Sequence, residues 1–435
     1  MSFELPFKLP TGWQVATVDE LVKQKIIAKP LDGNHGGIHP KASDYIESGV
    51  PFVMASDLAG GRVDLIDCKF ISEEQASGLR KGIAKAGDVL LSHKATIGRT
   101  AIVQDSKHDF IMLTPQVTYY RVINSSALSN IYLKAYFDSR FFQSILGLWA
   151  GAGSTRAYLG ITGQLKLPII LPPIEIQNEI SGQVHALNKK VNLNNEINQT
   201  LEEMAQAIFK SWFVDFDPVK AKMNGKQPEG MDAATASLFP DKLVESELGL
   251  IPEGWEVCLL NQKSEIKYGK NLPKTKLLDE GYPVFGGNGV IGYYSSYLYE
   301  DEQVLVSCRG AASGKVLRSL PKSFITNNSL VIDLSNSVLN INYVEPYLKG
   351  CNLEEYTSGS AQPQMTVANM APVQILVPSE DILKSFDEVV KPLKSKIRAN
   401  ERQNLSLAAL RDTLLPKLLS GEIELGTSEE LVEAI

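Results

Sequence analysis

An internal repeat is the feature that most constrains the fold of this chain. The sequence LPTGWQV at residues 9–15 returns as IPEGWEV at residues 251–257. Likewise, VLLSHKATIGRTAIV at 89–103 returns as VLVSCRGAASGKVLR at 304–318. A chain of 435 residues is also too long for one small core. The repeat therefore predicts two similar globular modules, of which the second is the shorter.

Each repeat ends in a segment with the spacing of an amphipathic helix. Apolar residues and two asparagines recur at steps of mostly 3 and 4, which is typical of coiled coils. A buried Asn costs stability but fixes register and partner, so two Asn at matching places favour helices that pack on each other over two unrelated helices. The stripe residues are Val184, Leu187, Val191, Asn194, Asn198, Leu201, Met204 and Ile208, followed 206 positions later by Val390, Leu393, Ile397, Asn400, Asn404, Leu407, Leu410 and Leu414.

The modules themselves consist of short apolar runs broken by Gly, Pro and Asn. This pattern predicts strands with a few helices, such as one within residues 130–148. The predicted fold class is α+β, with two strand-rich, mixed α/β modules and two long helices. A helix over residues 180–213 would measure about 51 Å, so modules at its opposite ends would touch two places on something long rather than share a cleft.

Composition narrows the functional classes. The hydrophobic fraction is 44%, and no apolar run approaches the roughly 18 residues of a membrane span. The N-terminal sequence lacks a secretion pattern, and the four cysteines are scattered, so we expect a cytoplasmic protein without disulfides or zinc. The net charge is −7, yet residues 1–173 carry 18 basic and 15 acidic side chains. That distribution is compatible with reading DNA from one face.

The catalytic motifs in the sequence are weak. GNGVIG at 287–292 fits a dinucleotide-binding pattern, but strand-like YYSSYLYE follows it, so we predict a turn. Asp241, Glu265 and Lys267 imitate a nuclease pattern, but Asp241 lies in an acidic segment rather than at the end of a strand. The histidines lack metal-ligand spacing. We therefore predict a non-catalytic protein that reads DNA.

Several long motifs carry a family resemblance. Residues 208–257, from IFKSWFVDFDPVK to LGLIPEGWEV, resemble the central region of type I restriction–modification specificity subunits. SHKATIGRTAIV, FGGNGVIGYY and LRDTLLPKLLSGEI are similar to other parts of that family. The resemblance implies two target recognition domains and two helical spacers, which form an antiparallel coiled coil with a pseudo-twofold relation. It implies a specificity subunit that performs no catalysis itself.

The same resemblance implies partners and domain boundaries. The implied partners are double-stranded DNA with a bipartite, asymmetric target and two modification subunits that use S-adenosylmethionine to methylate adenine. Two restriction subunits that use ATP and Mg²⁺ are further implied partners. This chain itself would bind no cofactor, metal or membrane. The predicted segments are a first recognition domain (1–173), a central spacer helix (174–213), a linker (214–250), a second recognition domain (251–378), a C-terminal spacer helix (379–426) and an acidic tail (427–435).

Candidate DNA contacts are polar residues near glycines in the repeated segments. Arg and Lys pair with guanine, and Asn and Gln pair with adenine, in the major groove. Two alternatives remain open at this point: a magnesium-dependent endonuclease using the Asp241 motif, and a coiled-coil scaffold without DNA specificity. The candidates are His35, Lys41, Lys94, Arg99, Thr155 and Arg156 in the first module, and Asn271, Lys274, Asn288, Arg309, Lys315, Asn327, Gln362 and Gln364 in the second.

We expect the two helices to act as a ruler. Adding one heptad to each helix, at matched positions, should lengthen the gap between the two recognised half-sites, because the pairing pattern is kept while the helices grow by about 10 Å. The measurement is the methylated motif found by sequencing DNA from cells that carry the chain and its modification partner. An unchanged gap would contradict the ruler.

Overall fold

The computed structural model describes residues 8–151, 157–359 and 363–420. The chain forms two compact units, one of residues 1–195 with 401–435 and one of residues 196–400. Each unit holds one module and a part of each long helix. Within the described residues, no helix combines the length and apolar character needed to cross a bilayer.

The first module is built from short strands. Its central six-stranded sheet has the order β2-β11-β8-β9-β5-β4, a second sheet has the order β6-β3-β10-β7, and β1 pairs with β12. The strands are β1 (Gln14–Thr17), β2 (Leu31–Asp32), β3 (Val50–Val53), β4 (Leu58–Ala59), β5 (Arg62–Val63), β6 (Lys69–Ile71), β7 (Ile83–Ala84), β8 (Val89–Ser92), β9 (Thr100–Ile102), β10 (Ile111–Leu113), β11 (Val117–Tyr120) and β12 (Pro168–Leu171).

In the described part of the first module, five α-helices accompany these strands: α1 (Val18–Lys23), α2 (Glu73–Ser77), α3 (Asn130–Asp138), α4 (Arg140–Ala150) and α5 (Ile161–Gln164). The helical segment predicted within 130–148 is thus two helices. Ser139 divides them, because its hydroxyl accepts the amide of Phe142 and begins α4. Tyr132 and Tyr136 anchor α3 by donating to backbone carbonyls of β12, at 2.9 and 2.8 Å.

The second module repeats this plan. Its sheets have the orders β16-β22-β19-β20 and β18-β17-β21, and β15 pairs with β23. The strands are β13 (Leu243–Ser246), β14 (Gly249–Pro252), β15 (Glu256–Leu259), β16 (Glu265–Tyr268), β17 (Tyr282–Gly286), β18 (Gly289–Tyr294), β19 (Val304–Ser307), β20 (Val316–Arg318), β21 (Phe324–Ile325), β22 (Ser329–Asp333) and β23 (Gln374–Val377). GNGVIG lies in the β17–β18 hairpin, as predicted.

The strand pairings are equivalent in the two modules. Gln14 pairs with Leu171, and Glu256 pairs with Val377, so the first and last strands of each repeat close the module in the same register. In each module one fully buried strand, β8 or β19, lies between two antiparallel partners. The internal repeat predicted from the sequence is therefore present in the fold.

Residues 214–250, predicted as a linker, are a folded part of the second unit. They contain α7 (Asp217–Met223), α8 (Ala233–Leu238) and β13, which pairs with β14. Val219 and Phe239 enter the core of the unit beside Trp212 and Phe213. A few spaced apolar side chains suffice to bury this acidic segment. The aromatic residues of FKSWF are core for the same reason.

Further helices complete the second unit. α9 (Leu260–Lys263), α10 (Ile341–Gly350) and α11 (Val367–Met370) belong to the module, and α10 occupies the place that α3 has in the first module. The two long helices are α6 (Ile174–Phe213) and α12 (Glu380–Ser420), of 40 and 41 residues.

Side-chain amides pair the two long helices. In the first unit Asn194 is 1% exposed and donates to Asn404 Oδ1 at 2.8 Å. In the second unit Asn400 is 2% exposed and donates to Asn198 Oδ1 at 2.8 Å. Four residues forward along α6 thus correspond to four residues back along α12, so the helices are antiparallel. The same contact therefore occurs twice. The two donors, Asn194 and Asn400, lie 206 positions apart, as do the two acceptors, Asn198 and Asn404.

One stripe residue was predicted wrongly. Met204 is 47% exposed, and the neighbouring Ala205 is buried at 5% in the core of the second unit. A helix has 3.6 residues per turn, so a stripe drawn with 3- and 4-residue steps drifts around the helix surface. After Leu201 the predicted step of 3 reaches Met204, whereas a step of 4 reaches the buried Ala205. Other stripe residues contribute to or pack against the cores of the two units: Val184, Ile208, Val390, Leu393 and Leu414.

Two glycines let loops leave the sheets. A Cβ on Gly33, after β2, would lie 2.0 Å from the Leu113 carbonyl oxygen, and one on Gly269, after β16, would lie 2.3 Å from that of Thr326. Both contacts are with backbone, which cannot swing aside as a flexible side chain can. These equivalent positions therefore require glycine.

Gly33→Ala is expected to destabilise the chain by about 2 kcal/mol or more, because strand ends must separate to admit the methyl group. The measurement is urea unfolding of the full chain. Gly37→Ala is the matched control, since nothing lies within 4 Å of the position of its Cβ. Equal stability of the two variants would contradict the steric explanation.

Candidate DNA-recognition surfaces

In the second module several strands end at one edge of the sheets. Tyr268 at the end of β16 pairs with Leu330, and Ser307 at the end of β19 pairs with Ser329. The Ser329 hydroxyl donates to the carbonyl of Gly286, the last residue of β17, at 3.2 Å. The loops after these strands therefore emerge side by side, and we call this edge, with loops 269–271, 287–288, 308–315 and 326–328, the second recognition edge.

Most candidates of the second module lie on this edge. Arg309 forms a backbone bridge with Gln364, and both side chains are exposed. The Lys315 ammonium lies 2.6 Å from Asn288 Oδ1. The amide of Asn327 donates to the carbonyl of Lys270 at 3.2 Å, which places a further exposed cation, Lys270, beside the predicted set.

The remaining candidates of this module are less closely connected. Asn271 follows Lys270 and is exposed, and Lys274 begins a short 3-10 turn, Lys274–Lys276, further along the chain. Gln362 lies outside the described residues. The second recognition edge thus combines guanidinium, ammonium and amide groups, which are the groups that bind base edges and phosphates.

The first module has an equivalent edge. Asp32 at the end of β2 pairs with Thr118, and Ser92 at the end of β8 pairs with Val117. Loops 33–41, 93–99 and 114–116 emerge there and define the first recognition edge. Thr114 donates its amide to the carbonyl of Val53 at 2.9 Å, as Thr326 does to Phe285 in the second module.

The predicted residues of the first module have different roles on this edge. Lys94 forms a backbone bridge with the exposed Tyr158, and its ammonium lies 6.0 Å from the centre of that ring. This pair occupies the place that Arg309 and Gln364 have in the second module. Arg99, by contrast, donates to the carbonyls of Ala55 and Ser56, both at 3.2 Å, and so holds a neighbouring turn.

The other first-module candidates are placed as follows. Lys41 is exposed before a short 3-10 turn, and its backbone amide donates to Asp44 at 2.7 Å. Thr155 and Arg156 lie outside the described residues. Tyr158, two positions after Arg156, was not predicted as a DNA contact, because a Tyr in an apolar segment is usually part of the core.

His35 is oriented by a buried carboxylate. Its Nε2 lies 2.7 Å from Asp32 Oδ2, and the Lys81 ammonium lies 2.6 Å from Asp32 Oδ1. Burial alone would raise the pKa of Asp32, but the hydrogen bonds from Lys81 and His35 outweigh burial and hold the pKa below its ordinary value. Asp32 therefore stays charged and fixes the His35 ring on the first recognition edge. No sequence signal linked Asp32 to Lys81, which is 49 residues away.

His93 lies directly beneath the first recognition edge. It is 0% exposed, its Nδ1 lies 3.1 Å from the carbonyl oxygen of Leu159, and burial lowers its pKa to about 4. The ring is therefore neutral at neutral pH and supports Lys94 from below. Cys308 occupies the corresponding position in the second module and is also buried.

The residues of the nuclease-like pattern are Asp241, Glu265 and Lys267, and they lie outside the loops that define the second recognition edge. The Lys267 ammonium lies 2.7 Å from Asp333 and 3.2 Å from Glu265. Glu265 and Asp333 pair at the end of β16 and β22 opposite the second recognition edge. Asp241 is exposed in the bend before β13. Throughout residues 8–151, 157–359 and 363–420, no three His, Cys, Asp or Glu residues are grouped so as to hold a metal ion.

The structure thus has two repeated modules with basic and amide groups at equivalent sheet edges, and a pair of antiparallel helices, which is the class of protein with two candidate recognition surfaces. The family model for the type I restriction modification DNA specificity domain matches residues 10–203 and 252–407. The chain belongs to this family, and its function is DNA sequence specificity in type I restriction–modification. The resemblance seen in the sequence is thereby confirmed.

Individual relatives agree with this assignment. The HindI specificity subunit of Haemophilus influenzae is 27% identical over 445 residues, covering 86% of this chain and 94% of that protein. The MjaIX specificity subunit of Methanocaldococcus jannaschii is 24% identical, covering 97% and 99%. The crystal structure of the type I restriction–modification S subunit from M. genitalium shares the fold, with a TM-score of 0.53, 14% identity and coverage of 96% and 98%.

Unfolding at mildly acid pH is expected to depend on His93. Between pH 6.5 and pH 4 the unfolded chain binds a proton at this residue that the folded chain excludes, so stability falls by up to about 3 kcal/mol as the pH drops through that range. His93→Cys, which installs the residue of the second module, should remove this contribution to the slope, so any stability loss relative to the parent protein should shrink as the pH falls from 6.5 to 4. Urea unfolding at pH 4.5, 5.5 and 7 measures the free energy of unfolding of both proteins. A pH slope in the variant as steep as in the parent protein would contradict the proposed contribution of buried His93.

Proposed function

We propose that each module reads one half of a bipartite DNA target through its recognition edge. The equivalence of the Lys94–Tyr158 and Arg309–Gln364 bridges is the observation that carries this proposal. Loops at the same edge of two homologous modules hold exposed groups suited to base edges, although the surrounding sequences differ. Equivalent position indicates a shared role, and different chemistry indicates different bases.

The side chains suggest how the halves differ. Arg309 is suited to guanine, which presents two acceptors in the major groove, and Gln364 is suited to adenine, which presents one donor and one acceptor. Lys94 and Tyr158 offer one cation and an aromatic ring instead. The proposed target is therefore asymmetric. Lys41, Lys270 and Lys315 are suited to phosphates, which position the protein without carrying sequence information.

The long helices are proposed to set the gap between the half-sites. A regular helix of 40 residues measures about 60 Å. One turn of DNA measures about 34–36 Å, so a separation of one or two turns matches helices of this size. The paired asparagines support this role, because buried amides resist slipping of one helix along the other.

We further propose that catalysis resides in partner subunits. The chain would position two modification subunits, which use S-adenosylmethionine to methylate adenine, and restriction subunits where these are present. The duplicated fold supports this stoichiometry, since each repeat would offer an equivalent docking surface. No catalytic role is assigned to Asp241, Glu265 or Lys267.

Arg309→Ala should weaken reading of one half-site only. The complex of the variant with its modification partner is expected to methylate the native target about 10- to 100-fold more slowly, and to discriminate less among bases at one position of the second half-site, because a bidentate contact contributes about 1–3 kcal/mol. Methylation of duplexes with single substitutions in either half measures this.

Lys384→Ala is the matched control, since it removes one exposed cation from α12 instead of from a recognition edge. It should leave the base preferences unchanged. Altered preference in both half-sites of the Arg309 variant would contradict independent reading by the two modules, and unaltered preference would remove Arg309 from the reading surface.

A further inference from the structure

Within the second unit, a group of charged and amide side chains is centred on Arg318. The guanidinium is 15% exposed, and its Nε and Nη2 lie 2.8 and 2.7 Å from Glu302 Oε2. Its Nη1 donates to Asn342 Oδ1 at 2.8 Å and lies 3.1 Å from Glu345 Oε2. All three guanidinium nitrogens of Arg318 are therefore engaged, and we call this group the Arg318 network.

Two members of the network reach α12. The second carboxylate oxygen of Glu302 pairs with Arg398, and Asn342 Nδ2 donates to Asp387 Oδ1 at 2.6 Å. Arg398 and Asp387 are eleven residues apart, which is three helical turns or about 16 Å. The bonds thus form a closed circuit, from α12 through Glu302, Arg318 and Asn342 back to α12.

This circuit has a different physical role from the apolar contacts around it. Phe386 and Val390 of α12 lie in the same core as Tyr343 and Leu348 of α10. Burial of these side chains favours docking but is non-directional, so it tolerates small rotations. Charge-assisted bonds to a planar guanidinium are directional. Two attachments to α12 that lie three turns apart oppose both sliding of the second module along the helix and rotation of the module about the helix axis.

Glu345 stays charged despite its burial. Burial alone would raise the pKa of Glu345, but Lys349, at 2.7 Å, and Arg318 outweigh burial and hold the pKa below its ordinary value. Removing one partner from such a group leaves a buried charge uncompensated, so the geometry that satisfies every member is strongly preferred.

The first module lacks this arrangement. Val304 pairs with Arg318 across β19 and β20, whereas the equivalent Val89 pairs with Ile102. At the α6 positions that lie 206 residues before Arg398 and Asp387, the chain has Asn192 and Ser181. The charged circuit is therefore a property of the second module.

The first module is joined to its helix by a neutral group. Gln177 of α6 is 0% exposed, accepts the amide of Ser129 at 3.0 Å and donates to the carbonyl of Ala127 at 3.0 Å. Leu383 stands at the matching position of α12, so the two junctions evolved separate polar contacts.

We propose that the Arg318 network holds the second module at a fixed angle on α12 and thereby sets how strictly the protein selects the gap between its half-sites. Arg318, Asn342 and Arg398 are positioning residues, which act through the module and do not read bases. The inference rests on the proposed bipartite reading. It adds that gap selection depends on this junction as well as on helix length.

The test measures methylation by the full chain assembled with its modification subunits. The duplexes keep both half-sites and vary the gap by one base pair in either direction. Arg398→Met removes one attachment while keeping an unbranched side chain, and it should reduce the preference for the native gap about tenfold without changing the bases selected. A purely structural role would lower methylation of all duplexes equally.

Lys384→Met is the matched control. Lys384 lies on α12 as Arg398 does, but it is exposed and pairs at 2.9 Å with Glu380 of the same helix, so it attaches α12 to nothing else. This variant should keep the gap preference of the parent protein. Thermal unfolding of both variants shows whether they are equally folded.

A second pair of variants tests the other attachment. Asn342→Asp brings two carboxylates together at Asp387 and should relax gap selection. Combining it with Asp387→Asn restores a hydrogen bond with donor and acceptor exchanged, and should restore the selection. The rescue separates loss of the bond from general damage to the fold.

The outcomes are distinguishable. If the parent complex shows a preferred gap that Arg398→Met and Asn342→Asp leave intact, the network does not position the module, and the proposed function stands. If the parent complex methylates all gaps alike, bipartite reading with a fixed gap is itself contradicted, and the inference falls with it.

Discussion

The antiparallel pairing of α6 with α12 is the constraint on which the rest depends. Asn194 with Asn404, and Asn400 with Asn198, make one contact twice, with the same donor and the same distance. Leucines alone would permit several alignments of similar energy, because apolar contacts are interchangeable. A buried amide without its partner costs free energy in every other alignment. Two amide pairs therefore select one register, and every proposed relation between the modules follows from it.

The recognition edges combine a shared scaffold with different side chains, as the proposed reading of two unlike half-sites requires. Glycines at matching positions allow loops to leave the sheets. Buried strands such as β8 and β19 hold the residues from which these loops begin. The loops then vary freely in chemistry, from Lys94 with Tyr158 to Arg309 with Gln364. A neutral imidazole lies beneath one edge and a thiol beneath the other. Under the proposed function, the shared scaffold would allow the two modules to read different bases.

The sequence predicted what depends on periodicity and repetition. Two modules, two long helices and the matched asparagines follow from spacing alone. It failed where the outcome depends on contacts between distant residues. The exposure of Met204 depends on the drift of a real helix, and the burial of Phe239 depends on a partner surface in the core. Asp32 with Lys81, and Arg318 with Glu302, are joined only by folding. The hydrogen bonds from Arg99, a predicted DNA contact, to the carbonyls of Ala55 and Ser56 are likewise formed only by folding.

The pairing of the first and last strands in each module has an evolutionary consequence. Because β1 lies against β12, and β15 against β23, the chain enters and leaves a module at one place. Everything between those strands is a cassette whose ends are already side by side. Genetic exchange with breakpoints in these strands would insert an intact module beside unchanged long helices, so one recombination event would replace one proposed half-site and keep the other.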